Sequence, residues 1–321
     1  MDRGAEFGRA AGRGLVCAGA MSLRALWLGS LLLGMAVAAS LHGAGALVLQ
    51  TDFGTKDGAV AAMKGVAVGV DLQLPVFDLS HENTPYDIWE AAYRLRQTAP
   101  YWPAGTVFVS VVDPGVGTAR KAIALQTRSG HLFVSPDNGT LTLVAESLGV
   151  AAVREIDATR HRRPGSERSH TFHGRDLFAY VGARLAAGTL EFAEVGPELG
   201  GDIVRLPHPV AHAEGTALVG GVPALDGPYG NVWTDIDETL FAQLRPKLGE
   251  RYRVTISRSG TVVFAGEMPY VNTFGDVPEG QPLLYLNSLL CVSFALNKGN
   301  FAAAHTVGAG GDWAVRLERV P

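Results

Sequence analysis

Five short polar clusters carry most of the chemistry this chain can offer: Thr51-Asp52-Phe53-Gly54; Asp113-Pro114-Gly115-Val116-Gly117 with Arg120; Pro136-Asp137-Asn138-Gly139; Thr171-Phe172-His173-Gly174-Arg175-Asp176; and Asp226-Gly227-Pro228-Tyr229-Gly230-Asn231. Carboxylates accept hydrogen bonds from hydroxyls and amines, arginine is a permanent cation, and histidine exchanges a proton near neutral pH. Asp113 and Arg120 flank a Pro/Gly turn that lets the loop curl back on itself, and His173 arrives from a separate segment. Between them, an imidazole, a fixed positive charge and carboxylates can move protons and steady charge. Each cluster also has an ordinary reading. DPGVG and PDNG are common turn sequences, and HGRD reads as a helix cap with a surface ion pair.

Other chemistries find little support. The nine histidines form no HExxH and no Cys/His ligand cluster, so no transition metal and no metal ligands are expected. His208 and His212 are spaced for one helix face, but Pro207 and Pro209 oppose the helix. Cys291 lies in the apolar run LLCVSFAL and reads as a small core residue. With Cys17 in the leader segment, no disulfide framework remains. The net charge is -4 with no long basic run, which disfavours nucleic acid as a partner. The short patch Arg160–Arg163 reads as a solvated loop.

The elements that position the clusters are legible from hydrophobic pattern. ALVLQTDFG is a buried strand running into a loop, residues 57–69 suit a helix, and LPVFDLSH is a second strand ending on Asp78 and His81. Residues 86–98 place Ile88, Ala91, Ala92 and Leu95 on one helical face. GTVFVSVVDPGVG is a third strand; KAIALQT and HLFVSPDNG are two more, and LTLVAESLG is a helix ended by Gly149. Strand and helix alternate and the polar loops follow the strands. The expected fold is therefore α/β: an N-terminal, mostly parallel sheet with its site at the carboxyl ends of the strands. No GxGxxG follows the first strand, so a nicotinamide-type dinucleotide site is not expected. Beyond residue 208 the segments are β-rich and split by Gly and Pro turns, as in a smaller C-terminal β-barrel-like domain. The domain reading is a leader over 1–45, an α/β domain over 46–205 and a β domain over 206–321. In the leader, Arg24, a short apolar stretch and Ala36-Val37-Ala38 describe a signal for export, with Met21 as a candidate start. Export or periplasmic location is the expectation, with the cytoplasm as the alternative.

Taken together, TDFG, VDPGVGTAR, PDNG, TFHGRD and the stretch from Asp226 to Thr234 resemble the SAM hydroxide adenosyltransferases (SAM hydrolases), relatives of the SAM-dependent fluorinases and chlorinases. The similarity runs from about residue 46 to residue 318. It implies an α/β domain followed by a β-barrel-like domain, and a homotrimer with sites at subunit interfaces. It implies that S-adenosyl-L-methionine is the substrate, with no cofactor, and that water attacks the ribose 5′ carbon to give adenosine and L-methionine. Asp113, Arg120 and His173 match the set linked to water activation. Asp52 matches the residue that binds the ribose hydroxyls. Asp226 and Asn231 match groups holding the methionine amino group and the adenine. Ser288 lies at a methionine-carboxylate contact, Phe274 at an adenine-stacking ring, and Asn138 at a pocket position.

The resemblance also sets the competing readings. A halogenase carries Tyr in place of His173, and the fluorinase type has an insertion for which TAPYWPAGT leaves no room; Gly174 alone does not exclude a halide pocket. A non-catalytic SAM- or adenosine-binding protein would keep Asp52, Asp226 and Asn231 without needing the other three. Asn287-Ser288-Leu289-Leu290 departs from the family's Ser-Arg and Ser-Ser-Gly forms, which bears on the methionine contacts.

Overall fold

The computed structural model describes residues 45–320. The leader reading, its export signal at 21–39 and Cys17 lie outside the described residues.

The first half forms a six-stranded sheet. Its elements are β1 (Leu47–Thr51), α1 (Ala59–Val70), β2 (Val76–Ser80), α2 (Ile88–Thr98), β3 (Val107–Val111), β4 (Ala122–Thr127), β5 (Leu132–Pro136), α3 (Thr142–Leu148), β6 (Val150–Glu155), α4 (Ala158–His161) and α5 (Tyr180–Ala186). The strand order is β2-β1-β3-β5-β4-β6. The β1–β2, β1–β3 and β3–β5 pairs are parallel, whereas β4 is antiparallel to both its neighbours.

Period-two alternation explains the layering. Leu47, Leu49, Val107 and Val109 point to one face and pack with Met63 and Ala67 of α1 and with Val181 and Ala183 of α5. Val48 and Phe108 point to the other and pack with Leu95 of α2 and Val144 of α3. Both faces are covered, so β1 and β3 are buried along their whole length. A side chain at Gly182 would run into Val109, so only glycine lets α5 lie this close to β3. The connection through α1 crosses one face to β2, and the connection through α2 returns over the other to β3. The β1/β3 boundary is thus a topological switch point, where the loops after the two strands diverge and leave a crevice.

The second half adds β7 (His212–Glu214), β8 (Ala217–Val222), β9 (Ala224–Asp226), β10 (Asn231–Asp237), β11 (Arg251–Arg258), β12 (Thr261–Pro269), β13 (Pro282–Leu286), β14 (Cys291–Leu296) and β15 (Gly310–Arg319). They form two antiparallel sheets, β13-β14-β10-β9 and β12-β11-β15-β8-β7. Val232, Leu284 and Phe294 of the first sheet share one core with Leu218, Val254 and Val315 of the second. A bridge between Tyr270 and Leu284 joins the sheets at one corner, giving the barrel-like closure. Cys291 is buried at the start of β14, and burial pushes its thiol up to about 11. No helix among the described residues is long and apolar enough to cross a membrane.

Candidate active site

Asp52 follows β1 and Asp113 follows β3 two residues after Val111, the partner of Thr51 in the parallel register. The two carboxylates therefore emerge side by side at the switch point. His173 reaches the same place from the segment before α5. All three line one cavity of about 260 Å³, together with the rings of Phe53, Tyr86 and Phe172 and with Val116 and Thr171.

Arg120 stands behind this wall. Its Nε donates to Asp113 Oδ1 at 2.9 Å, and its Nη2 donates to Asp113 Oδ2, a two-pronged pair that is nearly buried. The same Nη2 lies 3.3 Å from His173 Nδ1. The guanidinium also sits 5.2 Å from the centre of the Phe178 ring. Burial, and then the positive charge of Arg120, hold the His173 imidazole below its ordinary value, so the ring favours the neutral form. Because arginine only donates, Nδ1 must present its lone pair and the proton of the neutral ring resides on Nε2. That Nε2 is buried and has no hydrogen-bond partner among the described residues. The free nitrogen is thus a donor, whereas the residue type alone suggested a proton acceptor.

Asp52 is engaged through one oxygen. Oδ2 accepts from the backbone N–H of Tyr86 at 2.9 Å. Tyr86 has φ of +69°, a conformation disfavoured for a side chain of this size, and it is 71% exposed at the cavity rim. The loop is tied on both sides: Asp87 caps α2 by accepting from Glu90 N, and the Glu90 carboxylate accepts from Thr84 N. Tyr86 is a site residue that the sequence reading placed inside the helix. The signal was present, since Asp87 with Glu90 three residues on is a helix-start pattern that leaves Tyr86 in the preceding loop. Phe53 and Phe172 lay within recognised clusters but were not singled out. Beneath Asp52, Thr51 Oγ1 contacts His81 Nδ1 at 2.8 Å and His81 Nε2 contacts Asp78 Oδ1 at 2.9 Å. This chain runs from buried Thr51 and His81 out to exposed Asp78 and anchors the strand end.

The other candidates fall elsewhere. Asn138 is off the cavity wall. Its amide donates to Val112 O at 2.9 Å and so braces the residue before Asp113. Asp226 and Asn231 face each other across the antiparallel β9–β10 pair, with Asn231 Nδ2 donating to Asp226 Oδ2 at 3.1 Å. Phe274 stacks obliquely on Tyr285 at 5.0 Å, and the Ser288 carbonyl accepts from Tyr101 Oη at 3.3 Å. None of these four lines the cavity with Asp52.

The patch Arg160–Arg163 is not simply a solvated loop. His161 is buried with Nε2 on the Glu194 carbonyl, and Arg163 binds Asp176. Asp176 itself is fully buried, so HGRD does not make a surface ion pair. His208 contacts Glu146 rather than His212.

A larger cavity of about 510 Å³ lies between α2, α3, the 206–211 segment and β8–β10, but it holds none of the candidate residues. The smaller cavity is the better site because a carboxylate, a guanidinium and a neutral imidazole with an unpartnered nitrogen converge on it.

The chain is also similar to known proteins. Residues 47–196 match the family described as SAM hydroxide adenosyltransferase N-terminal domain, and residues 220–314 match its C-terminal domain. The chain is 39% identical over 253 residues to a protein of Salinispora arenicola named (R)-S-adenosyl-L-methionine hydrolase, covering 78% of this chain and 90% of that one. It is 29% identical over 289 residues to a protein of Actinoplanes sp. named fluorinase, covering 82% of this chain and 95% of that one. A crystal structure of an uncharacterized conserved protein from Thermotoga maritima superposes with a TM-score of 0.78 at 34% identity, covering 85% of this chain and all of the other.

Proposed function

The chain belongs to the SAM hydroxide adenosyltransferase family, and from that premise we propose that it hydrolyses S-adenosyl-L-methionine to adenosine and L-methionine. Water attacks the ribose 5′ carbon, the carbon–sulfur bond breaks, and its electron pair stays on sulfur. Methionine leaves as a neutral thioether, and the proton lost by the water is released. A sulfonium is already a good leaving group, so the protein's task is alignment in a site shielded from bulk water. No cofactor is required.

The observation that carries this reading is the Asp113–Arg120–His173 contact at the wall of the cavity that holds Asp52. Asp113 fixes Arg120, and Arg120 sets the tautomer of His173. The Nε2–H left over is the donor available to orient the water, beside the fixed positive field of the guanidinium. Asp52 keeps Oδ1 free of partners among the described residues, which suits a carboxylate that accepts from ribose hydroxyls. Incubating the purified protein with S-adenosyl-L-methionine, with and without chloride, tests the assignment. Adenosine and methionine are expected in both cases. Formation of 5′-chloro-5′-deoxyadenosine, or recovery of the substrate intact, would overturn it.

The active species in this reading is a homotrimer, in which Asp226, Asn231, Phe274 and Ser288 of one copy close the cavity of its neighbour. Support comes from the separation of these residues from Asp52 within the chain and from the exposure of Tyr229 (67%) beside Asp226. Light scattering that found an active monomer would remove it. Separately, we propose that residues 21–39 direct export, with the cytoplasm as the alternative location. A reporter active only after export, fused behind residues 21–45, would stay silent if that is wrong.

A further inference from the structure

We propose that Asp176 is the positioning residue for the water-handling group, acting through a π-turn anchored by its carboxylate. The inference rests on the reading of His173 given above.

The segment Gly174–Ala179 is wound as a π-helix before α5 continues as an ordinary helix. Such wide turns are rare and recur at functional sites. Asp176 supplies the anchor here. It is 0% exposed, yet its carboxylate is ionised: burial works against the charge, and hydrogen bonds from Arg175 and Arg163 outweigh it. Arg163 Nε donates to Oδ1 at 3.0 Å, Arg175 Nε to Oδ1 at 2.8 Å, and Arg175 Nη2 to Oδ2 at 2.7 Å. The backbone N–H of Arg163 donates to the Asp176 carbonyl at 2.8 Å, so the 163 loop and the π-turn are tied by both main chain and side chain.

Three contacts in and behind the cavity wall hang on this turn. His173 immediately precedes it, with Nδ1 on Arg120. Phe178, inside it, lies under the Arg120 guanidinium. Arg175, held flat by Asp176, sits 4.8 Å from the centre of the Phe172 ring, which meets Phe53 edge-on at 5.8 Å across the cavity wall. Gly174 is the close approach that permits this, since a Cβ there would press on both phenylalanine rings. Asp176 touches none of the cavity itself. Its effect is transmitted by geometry, and a displacement of His173 by about an ångström is enough to cost a large factor in rate.

The alternative is a buried ion cluster that only stabilises the fold. Asp176→Asn keeps the shape but leaves two guanidiniums sharing a neutral partner. Turnover is expected to fall roughly tenfold to hundredfold, with KM for S-adenosyl-L-methionine within about threefold, as for a defect in the chemical step. The acid limb of the turnover–pH profile should move up toward about 6.5, the ordinary imidazole value, because His173 loses the burial and the Arg120 contact that depress it. In a His173→Ala background the same substitution should cost nothing further, since both changes act through one group. Arg163→Leu keeps the Arg175 fork and should show a smaller loss in the same direction; it decides the matter if Asp176→Asn does not fold. A variant with a lower Tm but parental turnover and pH profile, or an equal loss in the His173→Ala background, would overturn the proposal. Parental turnover in His173→Ala itself would instead overturn the functional reading on which it rests.

Discussion

In the α/β half, Asp52 and Asp113 meet because β1 and β3 are parallel neighbours that end together at a switch point, and the loops leaving them part around a cavity. In the C-terminal half, Asp226 and Asn231 meet because an antiparallel ladder sets them opposite each other, and β9 is the edge of its sheet. The first arrangement gathers loops from distant parts of the chain and makes a concave site. The second makes a matched pair between an edge strand and its inner neighbour, with Asn231 buried. The difference teaches that parallel strands parting at a switch point gather a carboxylate, a guanidinium and an imidazole around one cavity, whereas an antiparallel ladder sets a single amide–carboxylate pair face to face.

Disabling the water-handling group tests the first half and should give the largest effect. Arg120→Ala and His173→Ala should each lower turnover by roughly 10²–10³, and the double variant should be little worse than either, because the two share one hydrogen bond. Parental turnover in a folded double variant would break the comparison at its root. Asp52→Ala should weaken S-adenosyl-L-methionine binding by about tenfold to hundredfold, the scale of hydrogen bonds to a charged group, with less effect on turnover; calorimetric titration reads this directly.

Asp226→Ala tests the second half. A loss of about tenfold in affinity is expected, even though Asp226 is outside the cavity of its own chain. The sharper measurement mixes unfolded Asp226→Ala and His173→Ala chains and refolds them together. Sites built from the intact half of each should recover activity above either parent, whereas sites closed within one chain would give only the sum of the two.

The smallest effect concerns pH and stability. Burial and Arg120 lower the His173 value in the folded state relative to 6.5. The folded protein therefore resists protonation that the unfolded chain accepts. Stability from this group is present above about 6.5 and is lost as pH falls from there through the depressed folded value. His173→Asn should flatten that part of the Tm–pH curve, and an unchanged slope would show that the imidazole is not held neutral.

Much of the cavity was legible because its residues follow strands with strong apolar runs. LVLQT and VFVSV could hardly be anything but buried strands, so Asp52 and Asp113 had to emerge at strand ends. His173 was recognisable as a residue type and as part of a motif, but not its tautomer, since that depends on an arginine from another loop. Asn138 was legible as polar and loop-borne, yet its amide is spent on Val112. Arg163 belonged to a run that looked solvated, because nothing nearby in sequence announces the buried carboxylate it meets at Asp176.

Hydrophobic periodicity, turn chemistry and residue types are local properties, and by themselves they determined the alternation of strands and helices, the β-rich second half and the set of groups able to do chemistry. Tertiary structure alone decided which of those groups share a cavity, that Nδ1 of His173 faces a donor, that Tyr86 is held at positive φ by Asp52, and that Asp226 on the edge strand β9 pairs with a buried Asn231 on β10. The physical reason is that contact between segments tens of residues apart depends on strand register and helix packing summed over the whole core, and a displacement of one ångström in that sum separates a hydrogen bond from none.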